Sequence, residues 1–258
     1  MIETSIIIRT RNEEKWLGRV LEALFGQTYK NFEVILVDSG SNDGTLEIVK
    51  KFPVKIFEIL QKDFSYPYAL NYGIEKTAES SKFIVIISGH SIPISQTWLE
   101  DGIENFKRHE KIMGVYGFVR AMPGASICDK GVGFFWRLAR PWCYGFGKNG
   151  RYVIESAGMG VMGFTNAIIL KELWVKKKFN EEYGMGGEDG EWADYWFKRG
   201  YKAVRDIRFS VYHSHNLGPI GWYRQFQYWK SFSRPQPFRF LAYRKTKPTL
   251  FDFELDFY

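Results

Sequence analysis

Glu188 and Asp189 stand side by side after Gly184, Gly186 and Gly187, in the stretch YGMGGEDGEWADYWF. The glycines let the backbone approach a ligand closely, and a carboxylate at such a point can deprotonate a hydroxyl. Two acids opening a helix are also what the positive end of the helix dipole favours without any chemistry. Asp38 directly follows the apolar run FEVILV. Its carboxylate can accept hydrogen bonds from a base N–H or a ribose hydroxyl, or it can cap the turn SGSNDG that follows. His90 ends FIVIISGH, and His213 and His215 end FSVYHSH. An imidazole can ligate a metal or bond a phosphate oxygen. Residues i and i+2 of a strand point the same way, so a His90–His213 pairing across one site is open, beside the reading of HSH as a solvent-facing strand end.

These residues need elements to hold them. SIII, at 5–8, is a short apolar strand. It stops at RTRNEE, where Asn12 is expected to cap a helix and Glu13 and Glu14 suit the helix's positive end. Trp16, Leu17, Val20, Leu21 and Leu24 then trace one helical face. Further strands are expected at 32–37, 54–59, 83–87 and 115–119, with helices at Thr45–Lys51 (capped by Asp43), Pro67–Glu79 and Ser95–Arg108. The strands are continuous apolar runs, as when both faces are covered, so the fold class is α/β: a sandwich around a mostly parallel central sheet. Ligands bind such sheets beyond the carboxyl ends of the strands. The strand-end residues Arg9, Thr10 and Arg11, then Asp38, Asp63 and Ser88 to His90, should lie along one rim. The second half is less regular: a strand at 161–164, a helix at Ala167–Val175, a helix opened by Glu188-Asp189, a strand at 209–215, and an amphipathic or interfacial helix in IGWYRQFQYWKSF.

The bulk properties restrict the function class. The chain has 258 residues, of which 45% are hydrophobic and 25% charged, so a folded core is expected and disorder is not. A net charge of +7 favours anionic partners, but the basic residues are dispersed and form no recognition module, so nucleic acid is not expected as a partner. Cys128 and Cys143 have no metal-type spacing, and a reducing compartment is the default. No charged leader precedes an apolar stretch and no apolar run reaches the roughly 20 residues that span a bilayer. The expectation is a cytoplasmic protein, with peripheral membrane contact left open. Residues 1–233 read as one domain, with halves at 1–120 and 121–233, followed by a tail at 234–258. The aromatic, basic stretches 130–152 and 218–234 are where a bound partner would be sought.

Taken together, these residues resemble the family 2 glycosyltransferases of the GT-A fold. SIIIRTRNEEKWLGRVLEALFGQTYKNFEVILVDSGSNDGT follows the family's opening, ALNYGIEKT resembles the helix before its fourth strand, GGEDGEWADYWFKRGYK its acceptor-side segment, and VYHSH its closing strand. The resemblance implies inverting transfer of a sugar from a nucleotide-diphosphate donor to a saccharide or lipid-linked acceptor. It implies that Thr10 and Asp38 contact the base, with Asp63 close by. Arg11, Asn12, Glu13, Ser88 and His90 complete the nucleotide-sugar set. Asp189 becomes the catalytic base and Glu188 its partner in orienting the base or the acceptor. The chain departs from the family where the fourth strand usually ends in an Asp-x-Asp motif holding a divalent metal, since Ser88-Gly89-His90 stands there instead. A cation, Mn²⁺ or Mg²⁺, would then fall to His90 and His213; without one, Arg11 and Lys62 would neutralise the diphosphate. A second departure is Tyr68, where many relatives carry a basic residue. The alternatives are a nucleotide-sugar-binding protein of the same fold that has lost catalysis, and a basic nucleic-acid binder.

Overall fold

In the computed structural model, residues 1–130, 150–158 and 160–232 are described. The expected tail at 234–258 and most of the aromatic stretch 130–152 lie outside the described residues.

The first half alternates as its sequence patterns predict. Strand β1 (Thr4–Thr10) leads to helix α1 (Leu17–Phe25), β2 (Phe32–Asp38), α2 (Thr45–Val49), β3 (Val54–Glu58), α3 (Tyr66–Glu75), β4 (Phe83–Ser88), β5 (Ile92–Pro93), α4 (Trp98–Arg108), β6 (Ile112–Tyr116) and β7 (Val119–Arg120). The second half adds β8 (Arg151–Ile154), β9 (Asn166–Leu170), α5 (Lys171–Lys176), α6 (Glu188–Phe197), β10 (Lys202–Asp206), β11 (Val211–Tyr212) and α7 (Pro219–Phe232). Eight strands form one sheet in the order β3-β2-β1-β4-β9-β6-β10-β8. β1, β2, β3 and β4 run parallel, β9 is antiparallel to both its neighbours, and β8 is antiparallel to β10. A three-stranded sheet, β5-β11-β7, stands apart.

The continuous apolar runs divide between the two faces of the sheet by strand alternation. Ile6, Ile8, Val34, Leu36, Val85 and Ile87 pack with Leu17, Val20, Leu21 and Leu24 of α1 and with Trp98, Leu99 and Ile103 of α4. Ile7, Ile35, Ile84 and Ile86 face the other way, toward Leu70 and Ile74 of α3 and Trp192 and Trp196 of α6. Each such side chain withdrawn from water contributes about 1.5–3 kcal/mol. α4 is further favoured by Glu100 and Asp101 in its first turn and Lys107 and Arg108 in its last.

Five expectations are corrected. Residues 161–164 form turns rather than a strand, with Met162 at φ 65°. The helix expected at Ala167–Val175 begins only at Lys171, because Asn166–Leu170 is a buried strand paired on both sides. A short apolar run fits a buried strand or a helix equally well by period, and here two open strand edges decide it. Asn12 does not cap α1: the helix starts after Trp16, and Asn12 lies in the left-handed region at φ 56°. The strand expected at 115–119 is split into β6 and β7, and that at 209–215 is reduced to Val211–Tyr212.

Candidate functional site

The parallel strands end together. Thr10 is in register with Asp38, and Arg9 with Ser88, so the strand-end residues of β1, β2 and β4 share one rim.

Two loops are stitched together on this rim. Asp38 is fully buried. Its Oδ2 accepts from the backbone N–H groups of Gly40 and Ser41 at 2.9 and 2.8 Å, and its Oδ1 from Ser41 Oγ at 2.5 Å. The Asn12 N–H donates to Ser41 Oγ at 2.9 Å, and Asn12 Oδ1 accepts from the Asn42 N–H at 2.9 Å. The Glu13 N–H donates to Thr45 Oγ1 at 2.7 Å. Glu14 Oε2 accepts from the Gly44 N–H just ahead of α2, which Asp43 also supports by accepting from Thr45. Asp38 thus makes the turn-capping bonds that its sequence position allowed. Arg11 and Asp63 are exposed on the same rim, as is Lys62.

The acidic pair reaches this rim from the far half of the chain. Gly187 precedes α6 with φ 97°, a conformation that L side chains adopt at a cost. Glu188 and Asp189 are consecutive on the helix and so face different directions. Glu188 turns inward, 4% exposed, with Oε1 3.6 Å from Arg9 Nη1. Its burial, and then the charge of Asp189, push its pKa from 4.5 up to about 7 against the opposing pull of Arg9. Asp189 is only half-buried, and its Oδ1 accepts from the Gly190 N–H at 2.7 Å. The Arg9 guanidinium also lies over the Tyr66 ring, 4.6 Å from its centroid.

The histidines meet through the small sheet. β11 pairs antiparallel with β5, setting Tyr212 opposite Ile92, so the residues after Tyr212 come to lie against those before Ile92. His213 Nδ1 is 2.9 Å from Ser91 Oγ, and His213 Nε2 is 3.1 Å from His215 Nε2. The rings of His90 and His213 have centroids 4.4 Å apart. His90 Nδ1 donates to Glu13 Oε1 at 2.6 Å, with Ser88 Oγ at 3.4 Å. Burial above all, and then the other two imidazoles, push the pKa of His213 well below the usual value. Burial and His90 bring that of His215 to about 4. One candidate ligand nitrogen from each of His90, His213 and His215 lies within 4.8 Å of the others, close enough to hold a metal ion. Gly89 makes this approach feasible: a Cβ there would stand 3.1 Å from Glu13 Cγ and 3.3 Å from Thr10 Oγ1.

Three buried polar atoms on this rim, Arg9 Nη1, Thr10 Oγ1 and His90 Nε2, have no hydrogen-bond partner. Buried polar atoms are ordinarily satisfied, so these three are free to bond a ligand's polar groups. The sequence placed Arg9 on the rim and His215 at a strand end but gave neither a role; the contact of Arg9 with Glu188 and that of His215 with His213 needed the fold.

Residues 5–154 match the family model described as Glycosyl transferase family 2. The chain belongs to that family. It is 34% identical over 126 residues to the dolichyl N-acetyl-alpha-D-glucosaminyl phosphate 3-beta-D-2,3-diacetamido-2,3-dideoxy-beta-D-glucuronosyltransferase of Methanococcus voltae, covering 45% of this chain and 38% of the relative. It is 39% identical over 106 residues to glycosyltransferase AglE of Haloferax volcanii, covering 38% of this chain and 34% of the relative. The chain therefore matches little more than a third of either relative's length. Among solved structures, the mannosyltransferase PcManGT of Pyrobaculum calidifontis, in complex with GDP-Man and Mn²⁺, superposes with a TM-score of 0.65 at 17% identity, over 86% of this chain and 59% of that one. At that identity the likeness is one of fold, and it makes this family 2 member a GT-A protein. Among the described residues no helix is long and apolar enough to cross a membrane.

Proposed function

We propose that this family 2 protein transfers a sugar, with inversion, from a nucleotide-diphosphate donor to an acceptor hydroxyl. The observation that carries the reading is the ion pair of Glu188 with Arg9 at the carboxyl end of β1, which brings the neighbouring Asp189 to the rim where the donor of such a fold would lie.

The donor's nucleoside would rest on the stitched loops 10–14 and 38–45, with Thr10, Arg11, Asn12, Asp38 and Asp63 nearest the base and ribose. Because the Asp38 carboxylate is committed to its own turn, its proposed part is to hold the loop's shape, with one lone pair of Oδ1 left for the donor. Ser88, His90 and Glu13 would face the diphosphate. Asp189, the less buried acid, takes the proton of the acceptor hydroxyl as that oxygen bonds to the anomeric carbon, and the nucleoside diphosphate leaves with the electron pair of the broken C–O bond. Glu188 is held by Arg9 and positions the start of α6. A divalent cation on the histidine cluster would supply positive charge to the departing diphosphate. His90 and His213 are the proposed ligands; PcManGT, of the same fold, is found in complex with GDP-Man and Mn²⁺.

The Methanococcus relative's name specifies a sugar on a lipid phosphate as acceptor, which supports a lipid-linked saccharide here; such an acceptor would bring the protein to a membrane surface. Asp189→Asn should lower transfer by two to four orders of magnitude while keeping the rise in Tm that the matching nucleotide produces. A panel of UDP, GDP, dTDP and CDP identifies that nucleotide. Full transfer by Asp189→Asn would remove Asp189 from the role of base.

A further inference from the structure

We infer that His90, His213 and His215 form a three-imidazole metal site that takes a nitrogen-preferring dication of the Zn²⁺ or Co²⁺ class, and takes it without nucleotide. The inference deepens the transferase reading, since the cation would lie where that reading puts the donor diphosphate.

Three of the chain's four histidines gather here. His213 Nε2 and His215 Nε2 are 3.1 Å apart. Two nitrogens bound to one tetrahedral ion at about 2.0–2.1 Å stand roughly 3.3 Å from each other, so this pair already has a ligand-like spacing. His90 Nε2 is buried and has no partner, and a side-chain rotation that closes its gap to the other two completes the set. The remaining nitrogens are held as a metal site requires. Glu13, a carboxylate and so an acceptor, fixes the proton of His90 on Nδ1 at 2.6 Å and leaves the Nε2 lone pair free. Ser91 Oγ lies 2.9 Å from His213 Nδ1 and can accept a proton carried there, leaving Nε2 for the metal. Such outer carboxylate and hydroxyl partners orient histidine ligands and raise their basicity. Without an ion, one of these two Nε2 atoms carries the proton that the other accepts; with one bound, that proton moves to Nδ1 of the same ring and no net proton is released.

The donor set decides the cation. Mg²⁺ prefers oxygen ligands in octahedral array and keeps its waters, whereas imidazoles suit Zn²⁺, Co²⁺ and Ni²⁺. The carboxylate that touches the cluster, Glu13, is engaged by His90 Nδ1. Three protein ligands with a fourth position open is the arrangement of a metal that also binds a substrate oxygen. It needs no nucleotide to hold its ion, unlike a carboxylate pair that shares a cation with the diphosphate.

The test uses tag-free full-length protein stripped with EDTA. Co²⁺ is titrated while visible ligand-field absorption is recorded, and Zn²⁺, Mn²⁺ and Mg²⁺ are titrated calorimetrically, each with and without UDP or GDP. One equivalent of Co²⁺ should give the intense bands of four-coordinate cobalt, and Zn²⁺ should abolish them. Mg²⁺ should not bind in the absence of nucleotide. His215→Ala and His90→Ala should each weaken Zn²⁺ binding at least 100-fold, and Glu13→Gln by 10–100-fold. His213 is fully enclosed, so the half-buried His215 and His90 carry the test, with circular dichroism to confirm folding. Absence of Co²⁺ and Zn²⁺ binding without nucleotide, or binding unchanged by His215→Ala, overturns the inference. Zn²⁺ binding in a chain that neither binds nucleotide nor transfers sugar would overturn the transferase reading and leave the site standing. Transfer with Mg²⁺, indifferent to His215→Ala, would do the reverse.

Discussion

Glu188 titrates at about 7, above its ordinary 4.5, and this has two measurable consequences. A carboxyl whose folded-state pKa is raised contributes stability that is complete below 4.5 and is lost as pH rises through about 7, because the folded state holds the proton longer. Glu188→Gln should therefore match the native protein near pH 4.5 and exceed it at pH 8 by up to roughly 3 kcal/mol, as read by urea unfolding at both values. Arg9 lowers this pKa, so Arg9→Met should move it higher. If the Glu188 anion aids transfer, the acidic limb of the pH–rate profile moves upward with it; an unmoved limb in Arg9→Met would mean that Glu188 works only as packing. The carboxylate pair was visible in sequence because glycines flanked it, but its unequal burial was not. Only the helical offset between neighbouring residues, and the approach of Arg9 from β1, make one acid buried and the other accessible.

At the level of elements, the loop after β2 is a rigid part held by one buried carboxylate. Asp38→Ala removes the acceptor for two backbone N–H groups and a hydroxyl. It should cost about 1–3 kcal/mol in unfolding free energy and weaken nucleotide binding together with it, measured by denaturant titration and calorimetry. Gly187→Ala forces a Cβ into the left-handed region ahead of α6 and should cost roughly 1–2 kcal/mol. Transfer should fall more than nucleotide affinity, because the strain displaces the acids and not the donor loops. The first half was legible because each element repeats one pattern: an apolar run, a turn rich in polar residues and glycine, then an amphipathic helix. β9 and β10 were not. NAIIL is too short for period to decide between strand and helix, and KAVRD hides a buried strand behind charged residues, with Arg205 and Asp206 both enclosed.

For the whole molecule, the decisive feature is that the sheet does not respect chain order. β9, from residues 166–170, lies between β4 and β6, so the early and the later strands share one hydrogen-bonded surface. A fragment of residues 1–120 would lack β9 and leave both β4 and β6 with unpaired edges. It should aggregate on purification, where size-exclusion chromatography would otherwise show a monomer, because exposed apolar edges pair with any available strand. The same order matters while the chain is being made. β4 is complete at Ser88, and its neighbour begins at Asn166. At roughly 5–20 residues per second, the intervening stretch of about eighty residues takes on the order of 4–16 s to synthesise. Throughout that interval the nascent chain carries an adhesive strand beside the ribosome, which makes it a client for a holding chaperone until translation supplies the missing partner.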